Sequence, residues 1–84
     1  MERIAAAGNT EVPAYFALQA AGFEVWTEAV GNGVLWFAKK EDLTLLGDGP
    51  LQLLGLYALR KQRGKDWKPT DREIDTFLRQ HPEK

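Results

Sequence analysis

The fold of this chain is decided by residues 47–64, GDGPLQLLGLYALRKQRG. Proline at the first helical position, cations in the last turn and a glycine just beyond them are the usual ends of an α-helix. Pro50, the RKQR run and Gly64 supply these ends in this order. Between them, only Gln52 and Gly55 interrupt a run of apolar side chains. Such a helix is apolar almost all round, which predicts that its own domain or a partner covers it on most sides.

The composition is that of one small globular domain with few means of catalysis. The chain has 84 residues, of which 44% are apolar and 27% charged, and its net charge is −1. Cys and Ser are both absent, which excludes disulfides, thiolate metal sites and the two commonest nucleophiles. The sequence contains no run of about 18 apolar residues, which is the length that indicates a membrane-spanning helix. We therefore expect a non-enzymatic, cytoplasmic protein with no cofactor, no metal and no membrane partner.

The N-terminal third begins with an arm and continues into a helix. Residues 1–9 are predicted to be a flexible arm, because three alanines and a glycine in this stretch offer no anchoring side chain. A single small α+β domain is expected over residues 10–82. Its first helix is predicted over residues 10–21, with Thr10 as the N-cap and Gly22 as the residue that ends it.

The next segment, residues 23–40, has the pattern of a β-hairpin. Two runs, FEVWTEAV and VLWFAKK, flank the turn sequence GNG, and Asn-Gly between such runs is a strong hairpin signal. A three-residue loop pairs Glu28 with Trp36 and places Trp26 and Trp36 together, opposite the face of Val25. A two-residue loop shifts the pairing by one residue and moves Trp36 onto the face of Val25. We favour the three-residue loop because it gives one cleanly apolar face.

A short strand and a third helix complete the sequence pattern. LTLL, residues 43–46, follows a KKED turn and predicts a third strand. Thr70 and Glu73 match the capping box that opens a helix, and this helix is predicted to end near Gln80. One of its faces carries a regular stripe: Ile74, Phe77, Leu78 and His81. The elements predict an α+β domain of order α-β-β-(β)-α-α, a two- to three-stranded antiparallel meander packed with three helices.

Two tryptophans on the hairpin are the first candidate binding site. In the favoured register, Trp26 and Trp36 are diagonal neighbours on the sheet face that points away from the apolar residues. Two adjacent Trp rings on an outer face could bind a protein partner or the ring of a ligand. The sequence leaves open whether a helix covers this face.

A basic segment, residues 60–68, is the second candidate. It holds five cations around Trp67, among them Arg60, Arg63 and Lys65. Cations interleaved with an aromatic side chain can follow a nucleic-acid backbone and stack on its bases. A basic last turn is also ordinary helix design, because cations complement the negative end of the helix dipole.

The remaining polar motifs do not indicate a chemistry. The GDGP loop lacks the lysine and the spacing of a P-loop, and His81 has no evident partner with which to act as a base. No pair of nucleophile and base can be assembled. The helices predicted over residues 10–21 and within residues 47–64 are both apolar on nearly every side, and the thin core of so small a domain has few places to bury them. We therefore expect a protein-binding or self-associating module whose partner is a protein or a second copy. The alternative is a nucleic-acid-binding accessory protein that uses residues 60–68.

Overall fold

The computed structural model describes residues 1–82 and confirms the predicted α+β class. Its elements are α1 (Glu11–Ala20), β1 (Glu24–Val30), β2 (Gly33–Lys40), β3 (Leu43–Gly47), α2 (Pro50–Arg63) and α3 (Asp71–Gln80). The third strand, expected as an optional element, is present. None of the described helices has the length and hydropathy that a bilayer-spanning helix needs.

The three strands form an antiparallel meander of order β1-β2-β3, and its first hairpin differs from the favoured prediction. Val30 pairs with Gly33, so the turn contains two residues, Gly31 and Asn32. The predicted three-residue register is wrong. The physical reason is the position of glycine, because Gly31 has φ +52° and occupies the first central position, where a type II′ turn requires a positive φ.

The shift of one residue exchanges the two faces of β2. Trp36 now pairs with Thr27 and shares the face of Val25, whereas Phe37 pairs with Trp26 on the other face. The Lys40 ammonium, on the same side of β2 as Trp36, donates to the Ala21 carbonyl at 2.7 Å. The face with Trp36 is therefore the one that α1 covers.

The hydrophobic core lies between this face and the first two helices. Its buried members come from α1, the residue before β1, the strands β2 and β3, and α2: Leu18, Phe23, Ala38, Leu45 and Leu53. The Phe23 ring also meets the Tyr57 ring edge-to-face, with centroids 4.9 Å apart. The helix predicted within residues 47–64, α2, thus packs on the sheet, but only one of its faces does so.

The ends of α1 are set by local hydrogen bonds. Gly22 has φ +99° and ends the helix as predicted. The N–H groups of Gly22 and Phe23 donate back to the carbonyls of Gln19 and Leu18, which is a Schellman motif. At the other end, the Thr10 hydroxyl does not cap α1, because it binds the backbone N–H and carbonyl of Ala7 instead.

The start of α2 is capped by a side chain of α1. Its N-cap is Gly49, which has no side chain to accept a hydrogen bond. The Glu11 carboxylate accepts the N–H of Leu51 at 2.8 Å, across 40 residues of sequence. A helix leaves its first N–H groups without internal partners, so this contact satisfies one of them and joins the two helices.

The third helix stands apart from this core. Its capping box is present as predicted, with the Thr70 hydroxyl accepting the Glu73 N–H at 3.1 Å and the Glu73 carboxylate accepting the Thr70 N–H at 3.0 Å. An ion pair joins Asp75 to Arg79, one helical turn later, at 2.8 Å. No residue of α3 is buried in the described part of the chain. The helix therefore forms where it is predicted, but no other described element covers its apolar stripe.

Candidate functional site

The two tryptophans lie on opposite faces of the sheet. The predicted joint platform of Trp26 and Trp36 is wrong, because it depended on the three-residue hairpin loop. Trp36 lies on the face covered by α1 and α2, where its ring meets the Tyr15 ring edge-to-face at 6.5 Å. Trp26 lies on the face that these helices leave open. The two residues therefore belong to two different surfaces.

The open face carries an apolar row that crosses the whole sheet. Trp26 pairs with Phe37, which in turn pairs with Leu46 on β3. The rings of Trp26 and Phe37 are stacked, with centroids 5.2 Å apart and an interplanar angle of 5°. Leu46 is 50% exposed. Leu35 lies two residues from Phe37 and on the same face. We call these four residues the sheet patch.

Polar residues flank the sheet patch along the strands. Glu24, Lys39 and Thr44 form the next row across the three strands. On the other side of the row, the Glu28 carboxylate accepts a hydrogen bond from the Trp26 indole N–H at 3.1 Å. This bond satisfies the one polar atom of the indole and leaves its ring to the apolar row. An apolar centre with a polar rim is the usual make-up of a protein-binding surface.

The stripe of α3 is a second apolar surface without a cover. Ile74, Phe77 and Leu78 are 44%, 62% and 52% exposed, respectively. The His81 ring lies beside Phe77, with centroids 5.2 Å apart. The capping box and the Asp75–Arg79 pair hold the helical form, so the three apolar side chains are presented on one side of a defined helix. We call them the α3 stripe.

Trp36 lines an open groove where the starts of α1 and α2 meet. The groove has a volume of about 1060 Å³, and its apolar lining includes Val12, Tyr15 and Leu51. Glu11 is at its edge, with one carboxylate oxygen bound to the Leu51 N–H. Sequence reasoning missed this groove, because its two halves are 40 residues apart and only the packing of α1 on α2 brings them together.

The basic segment is divided by the structure. Arg63 is drawn to α3, where its guanidinium donates to the Glu73 carboxylate at 2.7 Å and to the Lys68 carbonyl at 3.4 Å. The hydrogen bond from Arg63, followed by that from the Thr70 N–H, lowers the pKa of Glu73 below its ordinary value. The hydrogen bond between Arg63 and Glu73 also raises the pKa of Arg63 above its ordinary value.

The other predicted members of this segment lie nearer the sheet or in solvent. Trp67 is half-buried and lines a cleft at the β3 edge together with Arg60 and Leu46. Lys65 is exposed. The structure thus brings Arg60 and Trp67 together and directs Arg63 elsewhere. Among residues 1–82, no group of three or more His, Asp or Glu side chains could hold a metal ion.

Comparisons with known proteins do not add a functional assignment to this geometry. The chain has no match among protein-family models, curated protein sequences or solved structures. The structure alone provides four candidate surfaces: the sheet patch, the α3 stripe, the Trp36 groove, and the β3-edge cleft with Arg60 and Trp67.

Proposed function

We propose that this protein is a non-enzymatic module that works by binding protein, a second copy of itself included, and that the sheet patch is its binding surface. The observation that carries the proposal is the row of Trp26, Phe37 and Leu46 across the sheet face that α1 and α2 do not cover. Leu46 is exposed, and the stacked Trp26 and Phe37 are half-buried. Antiparallel sheets with one solvated face normally place polar residues there. A row of three large apolar residues departs from that rule.

The chemistry of the row suits a protein partner. Trp and Phe are enriched in the buried centres of protein interfaces, where a few aromatic residues contribute most of the binding energy. The stacked rings of Trp26 and Phe37 already hold each other in position, so little side-chain entropy is lost when a partner covers them. Leu46 extends this rigid platform to the third strand.

Sedimentation velocity over a range of protein concentrations tests the proposal on the full chain. Wild type should self-associate, and Leu46→Glu should abolish this, because the charge would be buried in the contact. Thr27→Glu is the matched control, since Thr27 is also an exposed strand residue but its side chain lies on the other face. A wild-type chain that sediments as a monomer at every concentration would refute self-association through the patch.

Nucleic-acid binding through residues 60–68 is the second candidate function. The observation in its favour is that Arg60 and Trp67 line one outer cleft. A fluorescein-labelled single-stranded oligonucleotide, titrated at low and at higher salt, tests it by anisotropy. Binding should weaken steeply with salt and should decrease in Lys65→Glu. An unchanged anisotropy at low salt would remove this candidate and leave the sheet-patch proposal unaffected.

A further inference from the structure

We infer that the sheet patch of one chain takes the α3 stripe of a second copy, so that two chains exchange their third helices. The inference rests on the proposed function and names its partner. Its two sides are observed independently. One is an apolar row on the open sheet face, half-buried at Trp26 and Phe37 and exposed at Leu46. The other is an exposed apolar stripe on a helix of the same chain.

The dimensions of the two surfaces agree. The row from Trp26 to Leu46 spans two strand spacings, about 10 Å. An α-helix with its side chains is about 10–12 Å across, so one helix laid on the sheet covers the row. The α3 stripe occupies positions i, i+3 and i+4, which is the pattern with which amphipathic helices bind apolar surfaces. Helices on a sheet face are also the arrangement by which α+β domains bury apolar surface.

The connection between α2 and α3 favours a second copy over the helix's own sheet. Arg63, the last residue of α2, holds the first turn of α3 through Glu73 and the preceding loop through the Lys68 carbonyl. The α2 helix belongs to the layer that covers the opposite face of the sheet. Docking of α3 on its own sheet patch would require the helix to leave this position, whereas a second copy meets the stripe where it stands.

The contact closes on itself when it is reciprocal. Each chain offers one helix stripe and one sheet patch, so two chains make two equivalent contacts about a two-fold axis. Isologous dimers of this kind are the commonest closed assemblies, and they leave no free surface on which the assembly could grow. We therefore expect a dimer rather than a filament.

Disulfide trapping tests the pairing directly, because the chain contains no cysteine. A Leu46→Cys chain and a Phe77→Cys chain, distinguished by mass, are mixed and oxidised. The mixed disulfide should exceed the statistical share expected from random pairing. Arg72→Cys replaces Phe77→Cys in the control, because residue 72 lies about 140° around α3 from residue 77 at 100° per residue, and its mixed disulfide should stay at the statistical share.

A doubly substituted Leu46→Cys/Phe77→Cys chain distinguishes exchange from self-closure. Exchange predicts a disulfide-linked dimer in this variant. A disulfide within one chain, formed independently of concentration, would show that α3 covers its own sheet and would overturn the inference.

Two charge variants separate this inference from the proposed function. Phe77→Asp and Leu46→Glu should each weaken the dimer by at least about 30-fold, as for removal of a buried interface anchor, and a mixture of the two should recover part of the association through one intact contact. Circular dichroism of each variant must show that α3 is retained. Leu78→Asp is a second variant of the α3 stripe and should weaken the dimer as Phe77→Asp does. If Leu46→Glu dissociates the dimer while both α3 variants leave it intact, the sheet patch binds another part of the second copy. The inference is then wrong and the proposed function stands.

Discussion

Removal of the Glu11 carboxylate should destabilise the domain at the start of a different helix. In Glu11→Ala, the N–H of Leu51 loses the acceptor that lies 2.8 Å away. The N-cap residue Gly49 cannot replace it. Loss of an N-cap acceptor costs about 0.5–2 kcal/mol. Because Glu11 is exposed and water can partly replace it, we expect a decrease of about 1 kcal/mol in the free energy of unfolding.

The same geometry predicts that a side-chain cap introduced at residue 49 restores the stability lost in Glu11→Ala. Gly49 has an extended backbone, with φ −174°, which any residue can adopt. A Cβ at this position would lie 2.9 Å from the Glu11 carboxylate oxygen in wild type, but Glu11→Ala removes that atom. Gly49→Ser should therefore be neutral or destabilising in wild type. In the Glu11→Ala background it should recover about 0.5–1 kcal/mol, because the Ser hydroxyl can accept an N–H of the first turn.

Urea unfolding of wild type, Glu11→Ala, Gly49→Ser and the double variant provides a double-mutant cycle. The slope of the free energy against urea concentration should be equal in all four, so that changes in midpoint report stability. The sign of the interaction is the test, since the Ser substitution must be more favourable without Glu11 than with it. Equal effects of Gly49→Ser in the two backgrounds would refute the assignment of Glu11 as the cap of α2. A wild-type midpoint in Glu11→Ala would refute it as well.

Three further substitutions test the core, the α3 capping box and the second hairpin. Leu53→Ala should lower the free energy of unfolding by about 2–5 kcal/mol, since Leu53 is fully buried; a midpoint near wild type in urea would contradict this. The total helicity should fall as the pH drops below about 4, because Arg63 lowers the pKa of folded Glu73 and their contact is lost on protonation. In Glu73→Gln this fall, followed by circular dichroism, should be smaller, and an equal fall would contradict the assignment. Glu41→Gly should raise the thermal midpoint, because Glu41 has φ +55°, which costs a residue with a side chain about 1–2 kcal/mol; a lower midpoint would show that this strain is absent.

The features that could be predicted from the sequence have local causes. The ends of α2 depend on Pro50 and on the glycine after its last turn, and the capping box of α3 depends on Thr70 and Glu73. Each signal lies within a few residues of the backbone groups that it satisfies. The Asp75–Arg79 ion pair is local in the same way, because its two residues are one helical turn apart. Elements of this kind form wherever the surrounding chain permits them.

The Trp36 groove and the cap of α2 could not be predicted in this way. Glu11 and Leu51 come together only because α1 and α2 pack side by side on the sheet. No local pattern distinguishes Glu11 from the other exposed acids of the chain. The sequence marks α2 as lacking a side-chain cap, since its N-cap is glycine, and this is the one signal that could have prompted a search for a distant acceptor.

The hairpin register explains both the wrong prediction and the proposed function. GNG contains two turn pairs, Gly-Asn and Asn-Gly, and only the three-residue loop puts the apolar residues of both strands on one face. That preference assumes that the isolated domain buries its apolar residues. In the observed register Val25 and Trp36 fall on the covered face, while Trp26 and Phe37 fall on the open one. Both faces are apolar, and α1 and α2 cover only one of them. The assumption failed at the face where a second layer is missing, and α3 is the one helix of the described chain that has the stripe to provide it.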